Sequence, residues 1–93
     1  MIVEYSPRAR TDLDRIFQYL DERNPAAALA VLRTIRLRIE KLQVHPLMGP
    51  PTARQGIRCL TVRRFPYKIY YRVTRTVVSI VHIRDARHRP WLD

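Results

Sequence analysis

Among its 93 residues the chain has one cysteine, two glycines and one tryptophan. A lone Cys59 excludes an internal disulfide. Gly49 and Gly56 stand apart from each other and in no glycine-rich stretch, which excludes a phosphate-cradling loop and a dinucleotide fingerprint, so no cofactor is expected. No apolar run approaches the ~20 residues that span a bilayer, and no cationic-then-apolar leader opens the chain. No membrane association is expected, and the cytoplasm is the expected compartment. Three histidines with one cysteine and few nearby carboxylates show no ligand spacing, so no metal is expected. Negative charge is scarce as well. Between Lys41 and Leu92 there are eleven Lys or Arg residues and a single carboxylate, Asp85.

What is present is a basic, foldable chain. The net charge is +10, and 46% of residues are hydrophobic, an ordinary fraction for a globular protein, so the charge must lie on the surface of a folded object. A chain this short supports one core, and residues 1–93 are read as a single domain. Self-repulsion of that size costs stability, and an anionic partner that neutralises it stabilises the fold by mass action. A tight acidic partner is therefore expected.

Met1 to Tyr5 alternates as a short strand. Ser6-Pro7 follows as an N-cap with proline at the first helical position, where its missing N–H does no harm. Ala9, Leu13, Ile16, Phe17 and Leu20 recur at helical spacing, leaving Arg8, Asp12, Arg15 and Gln18 for the other face. Asn24-Pro25 repeats the cap signal, so the first helix ends near Asp21 to Arg23. The second helix runs to about Val44 on a seam of Ala28, Leu32, Ile35, Ile39 and Leu42, and Pro46 stops it. Leu47 to Gly56 reads as an ordered crossover loop. From Ile57 the period becomes two: Leu60 and Val62, then Ile69, Tyr71 and Val73, then the β-branched run Val77 to Ile83. Short connections at Arg64-Phe65-Pro66 and Thr74-Arg75-Thr76 make a meander with charged residues on the face away from the helices. The fold class is α+β in the order β-α-α-β-β-β, a helical hairpin packed on a small antiparallel sheet.

That order resembles the ParE/RelE superfamily of bacterial toxins. The likeness rests on Tyr5-Ser6-Pro7-Arg8-Ala9, Asn24-Pro25-Ala26-Ala27-Ala28, the turn from Pro46 to Gly49, Gly56-Ile57-Arg58, the run Pro66 to Val73 and the run Ile83 to Pro90. It covers nearly the whole chain and is nearest the ParE branch. The resemblance implies the toxin half of a type II toxin–antitoxin (plasmid stabilisation) pair, neutralised by an acidic, ParD-like antitoxin that wraps the helical hairpin and the sheet. ParE-like members poison DNA gyrase by binding. RelE-like members instead cleave messenger RNA on the ribosome without metal. Aligned by strand, the first-strand lysine positions of RelE-like nucleases fall on Cys59 and Thr61, Lys68 replaces a second-strand arginine, and the tyrosine position falls near Trp91 or Leu92. Neither a thiol nor a hydroxyl stabilises phosphate charge as an ammonium does. The expected activity is inhibitory binding of gyrase. A ribosome-dependent endoribonuclease and a non-toxic nucleic-acid-binding module are the alternatives.

Candidate target-binding residues are Lys68, Tyr70 and Arg72, on one face of the second meander strand, with Arg84, Arg87, Arg89 and Trp91 beyond the third. Arg58 and Arg84 join the first group if register permits. Tyr70 between two cations makes a stacking surface, with a plain solvated face as the other reading. If the chain is a nuclease, Arg72, Arg84 and Arg87 stabilise charge and His88 moves the proton, because positive neighbours favour its neutral ring. His82 is read as a half-buried structural histidine sharing a face with Val78 and Ile80. Leu29 and Leu37 lie off the helical seam, and with Arg33 and Arg36 they form the expected antitoxin groove.

Overall fold

The computed structural model describes residues 1–87. Both cap signals act as read. The Ser6 hydroxyl accepts the Ala9 N–H at 3.0 Å at the start of α1, Pro7–Asp21. The Asn24 side chain accepts the Ala27 N–H at 3.1 Å at the start of α2, Pro25–Lys41. Each cap satisfies one of the donors that a helix start leaves without an internal partner. α2 closes short of Val44 because Leu42 N–H bonds back to Ile39 C=O at 3.0 Å, a tightened last turn that drops Leu42 into the core.

The strands are β1, Ile2–Tyr5; β2, Arg58–Val62; β3, Tyr67–Val73; and β4, Val77–Asp85. Their spatial order is β1-β4-β3-β2. β2, β3 and β4 form the antiparallel meander, with Leu60 opposite Ile69 and Ile69 opposite Ile83. β1 adds to the outer side of β4 in parallel, pairing Ile2 with Val77 through Tyr5 with Ile80. The sheet is therefore mixed, where the sequence reading had an antiparallel one. The sequence pattern gave no sign of where a four-residue first strand would dock.

α1 packs against β4 and β1, and α2 packs against β2. The core lies between the helices and the facing side chains of the sheet. Val31, Ile35, Ile39 and Leu42 of α2 and its cap meet Leu60, Ile69, Tyr71 and Ile80. Val31 takes the core position expected for Leu32, which is only half-buried.

One irregularity decides which side chains reach the far face. Tyr70 pairs with His82 but Tyr71 pairs with Ile80, so Val81 is an extra residue in β4 with no opposite number on β3. Such a bulge shifts the alternation by one position. Ile80 and Ile83 both face the helices, three residues apart, and His82 turns to the side of Tyr70. The expectation that His82 shares a face with Val78 and Ile80 is corrected by this bulge. Ser6 holds it in place, its N–H bonded to Ile80 C=O at 2.9 Å and its hydroxyl donating to Val81 C=O at 2.9 Å. Among the described residues no helix is long and apolar enough to cross a membrane.

Candidate partner and target surfaces

Two surfaces collect most of the candidate side chains named from the sequence. The first is a groove of about 500 Å³ between α2 and β1. Val3 and Tyr5 form its floor, and Leu29, Arg33, Arg36 and Leu37 stand along its α2 wall. Leu29 is 57% exposed and Leu37 52% exposed, so the groove presents two apolar side chains about two helical turns apart. A second hollow of about 520 Å³ shares Tyr5, Leu32 and Arg36 and carries the groove onto α1 through Arg10, Leu13 and Phe17. Burial at this junction pushes the Tyr5 phenol above its usual value near 10, against the pull of the Arg36 charge and with a small push from Glu40. The four residues foreseen for an antitoxin groove are thus brought together in one place, and Phe17 joins this wall rather than the core.

The second surface is the face of the sheet turned away from the helices. Lys68 stands opposite Arg84, so these two cations share it, and Arg72 is exposed there. Arg58 does not join them. It pairs with Tyr71 on the helix side, and its guanidinium donates to Gly49 C=O at 2.8 Å, holding the crossover loop. Cys59 pairs with Tyr70 and Thr61 with Lys68, so a thiol and a hydroxyl occupy the β2 positions of the basic face.

Tyr70 corrects the reading of an exposed stacking platform. It is 0% exposed, and its ring stacks on that of His82 with centroids 6.0 Å apart and planes 20° from parallel. His82 is itself buried, and Asp12 engages it. The Asp12 Oδ2 lies 2.7 Å from His82 Nδ1 and accepts the Ile83 N–H at 2.9 Å. A carboxylate oxygen that also accepts the Ile83 N–H is matched by a donor at His82 Nδ1. Sequence reasoning assigned Asp12 to the outer face of α1. The signal that could have found it is the helical spacing itself, because Asp12 sits next to Leu13 and four residues before Ile16 on the side facing β4.

Arg87 is exposed and grips Asp85 with Nη2 to Oδ2 at 2.6 Å and Nε to Oδ1 at 3.0 Å. That pair holds the Arg87 guanidinium above its ordinary value, the hydrogen bond contributing most. His88, Arg89 and Trp91, assigned from sequence to catalysis or target contact, lie outside the described residues. No group of three His, Cys, Asp or Glu among the described residues could hold a metal ion.

Two helices on a four-stranded mixed sheet, with an apolar groove beside a short edge strand, make this an α+β domain of the kind found in bacterial toxin–antitoxin proteins. A chain of the chromosomal ParDE system from P. aeruginosa superposes with a TM-score of 0.81 and 28% identity, over 91% of this chain and 95% of that one. A chain of the toxin–antitoxin complex RelBE2 from Mycobacterium tuberculosis superposes with a TM-score of 0.62 and 26% identity, over 90% and 95%. Toxin RelE3 of Caulobacter vibrioides is 36% identical over 94% of this chain and 96% of its own length. The chain belongs to the ParE toxin family of type II toxin–antitoxin systems, parDE, whose model matches residues 3–90.

Proposed function

We propose that this toxin is neutralised by a cognate acidic antitoxin seated in the α2–β1 groove, and that it acts by binding DNA gyrase through the basic face of its sheet without breaking a bond. Relatives of both ParE and RelE name resemble the chain, so the target is argued from its own residues. The observation that carries the choice is the content of the basic face. Metal-free RNA cleavage needs a proton acceptor, a proton donor and cations around the phosphate. At the β2 positions of that face stand Cys59 and Thr61, beside Lys68 and Arg72. The ring of His82 is held by Asp12, and Tyr70 is buried against it. These are the features of a surface that binds by charge.

The antitoxin half of the proposal rests on the exposed Leu29 and Leu37, with Arg33 and Arg36 between them on α2. An amphipathic acidic helix would cover the leucines and neutralise the arginines. The test pairs two assays on the purified protein. DNA supercoiling by gyrase should fall with added toxin and recover with antitoxin, while primer extension on translating ribosomes should show no new cleavage. Cleaved messenger RNA with unimpaired supercoiling would establish the RelE-like endoribonuclease instead.

A further inference from the structure

The α2–β1 groove does not close at the end of the helix. A further hollow of about 610 Å³ opens beside it, lined by Arg38, Lys41 and Val44 and sharing Leu37, Glu40 and Gln43 with the first. Leu37, Lys41 and Val44 follow one another at helical spacing. The path holds past Lys41, because Val44 N–H bonds to Lys41 C=O at 3.2 Å. Val44 is 73% exposed, and Leu47, three residues beyond it in the chain, is 64% exposed. From Leu29 to Val44 the line runs about 22 Å, the reach of roughly fifteen helical or seven extended residues.

The loop that carries Leu47 is held by the sheet. Pro46 C=O accepts the Tyr71 hydroxyl and Gly49 C=O accepts the Arg58 guanidinium, each at 2.8 Å, and the Tyr71 oxygen takes the Gly49 N–H. Side chains from two strands thus fix a segment whose own apolar side chain stands in water. A surface fixed in advance loses little entropy on contact, and exposed apolar side chains gathered along a groove mark a place where a protein docks.

The charge along this line is not spent elsewhere. Among the described residues neither Arg38 nor Lys41 makes an ion pair or a side-chain hydrogen bond, and Glu40 is the one carboxylate lining either hollow. The Nε of Arg38 is covered from solvent and has no hydrogen-bond partner. A covered donor without an acceptor is costly, so a carboxylate to which the guanidinium can turn relieves the position it now holds.

We propose that the antitoxin's seat runs on from the α2–β1 groove along α2 to the crossover loop, where Val44 and Leu47 anchor an apolar part of the antitoxin and Arg38 with Lys41 holds its carboxylates. The inference rests on the reading of the α2–β1 groove as the antitoxin site and extends that site past the end of the helix. Three shared lining residues make the two hollows one surface. A second copy of the chain would set these cations against their own kind, at a net charge of +10 on each copy. The target is assigned to the other face of the sheet, and a phosphate backbone would gain nothing from Val44 or Leu47.

The test uses the full chain carrying Val44→Asp or Leu47→Asp, exposed positions outside the core, with circular dichroism to confirm folding. Calorimetry measures affinity for the cognate antitoxin, growth arrest on expression without antitoxin measures toxicity, and sedimentation measures the mass of the free chain. Each variant is expected to bind the antitoxin roughly tenfold more weakly at unchanged toxicity. Hydrogen exchange of the natural complex is expected to slow at residues 43–48 as well as around Leu29 and Leu37. Antitoxin affinity within about twofold of the natural chain for both variants overturns the proposal, and leaves the groove reading standing where Arg33→Glu with Arg36→Glu still weakens binding. Lost toxicity at unchanged antitoxin affinity assigns the loop to the target and overturns it too. So does a natural chain that is dimeric in solution and becomes monomeric in either variant at unchanged antitoxin affinity. If the chain carrying Arg33→Glu with Arg36→Glu keeps its full antitoxin affinity, the groove reading fails and the continuous seat falls with it.

Discussion

The Tyr71 hydroxyl accepts the Gly49 N–H at 2.8 Å and donates to Pro46 C=O at 2.8 Å, so one strand residue fastens the crossover loop to the sheet. Removing the hydroxyl leaves the buried Gly49 N–H without its partner, and a buried donor left unsatisfied costs about 1–3 kcal/mol, while the part-buried Pro46 carbonyl can turn to water. Tyr71→Phe should therefore lower unfolding free energy by about 1–3 kcal/mol in urea titration, with helix content retained. Gly49→Ala should cost more, because a Cβ there would lie 2.9 Å from the Cys59 carbonyl and from the Tyr71 ring. A Gly49→Ala protein as stable as its parent would mean the loop is not packed against Tyr71 as described.

The same tyrosine makes the fold sensitive to alkali. Burial raises the phenols of Tyr5, Tyr67 and Tyr71 above their usual value near 10, and desolvation leads in each case. At Tyr71 the Gly49 hydrogen bond and the Arg58 charge pull the other way without reversing the sign. A phenol raised in the folded state loses its proton first in the unfolded chain. Its contribution is thus complete below pH 10 and lost as pH climbs through the raised folded value. Chemical stability should be flat from neutral pH towards 10 and then fall. Absorbance titration at 295 nm should show part of the tyrosine signal ionising late, together with unfolding. A single unperturbed tyrosine titration would contradict the burial of these rings.

Sequence made some of this legible and hid the rest for definable reasons. The caps at Ser6 and Asn24 and the change of period at Ile57 are local signals, and both helices and three strands followed from them. The exposed Leu29 and Leu37 could be foreseen because a helical seam leaves off-seam leucines unaccounted for. The bulge at Val81 could not, since alternation assumes an unbroken ladder and β-branched residues suit either register. Without it His82 was assigned to the wrong face, and Asp12, its partner 70 positions away, was read as solvent-facing. Arg58 was lost to the basic face by register alone, as it pairs with Tyr71 and not with Tyr70.

The proposed antitoxin groove gives a sharp mutational test. Arg33 and Arg36 lie between the exposed Leu29 and Leu37 and on the surface, so reversing their charge should not disturb the fold. A charge at an interface facing an acidic partner governs both encounter rate and affinity. The double variant Arg33→Glu with Arg36→Glu should bind the antitoxin at least about a hundredfold more weakly by calorimetry, while still inhibiting the target. Cells expressing it beside a normal antitoxin should be poisoned. Unchanged affinity would move the antitoxin to another surface.

Ser6 should be worth more than an ordinary cap. Its hydroxyl accepts from Ala9 N–H and donates to Val81 C=O, joining the start of α1 to the bulge that turns His82 towards Tyr70. Ser6→Ala removes the cap, at about 1 kcal/mol, and also leaves the Val81 carbonyl without that donor. The combined loss should be about 2 kcal/mol. Ser6→Gly should cost nearly as much here, although glycine usually replaces a capping serine at only a few tenths of a kcal/mol. It keeps the cap conformation but cannot reach Val81. Hydrogen exchange should separate the two contributions, with both variants speeding exchange at Ala9 and at Ile83. Loss of protection at Ala9 alone would show that the bulge stands without Ser6.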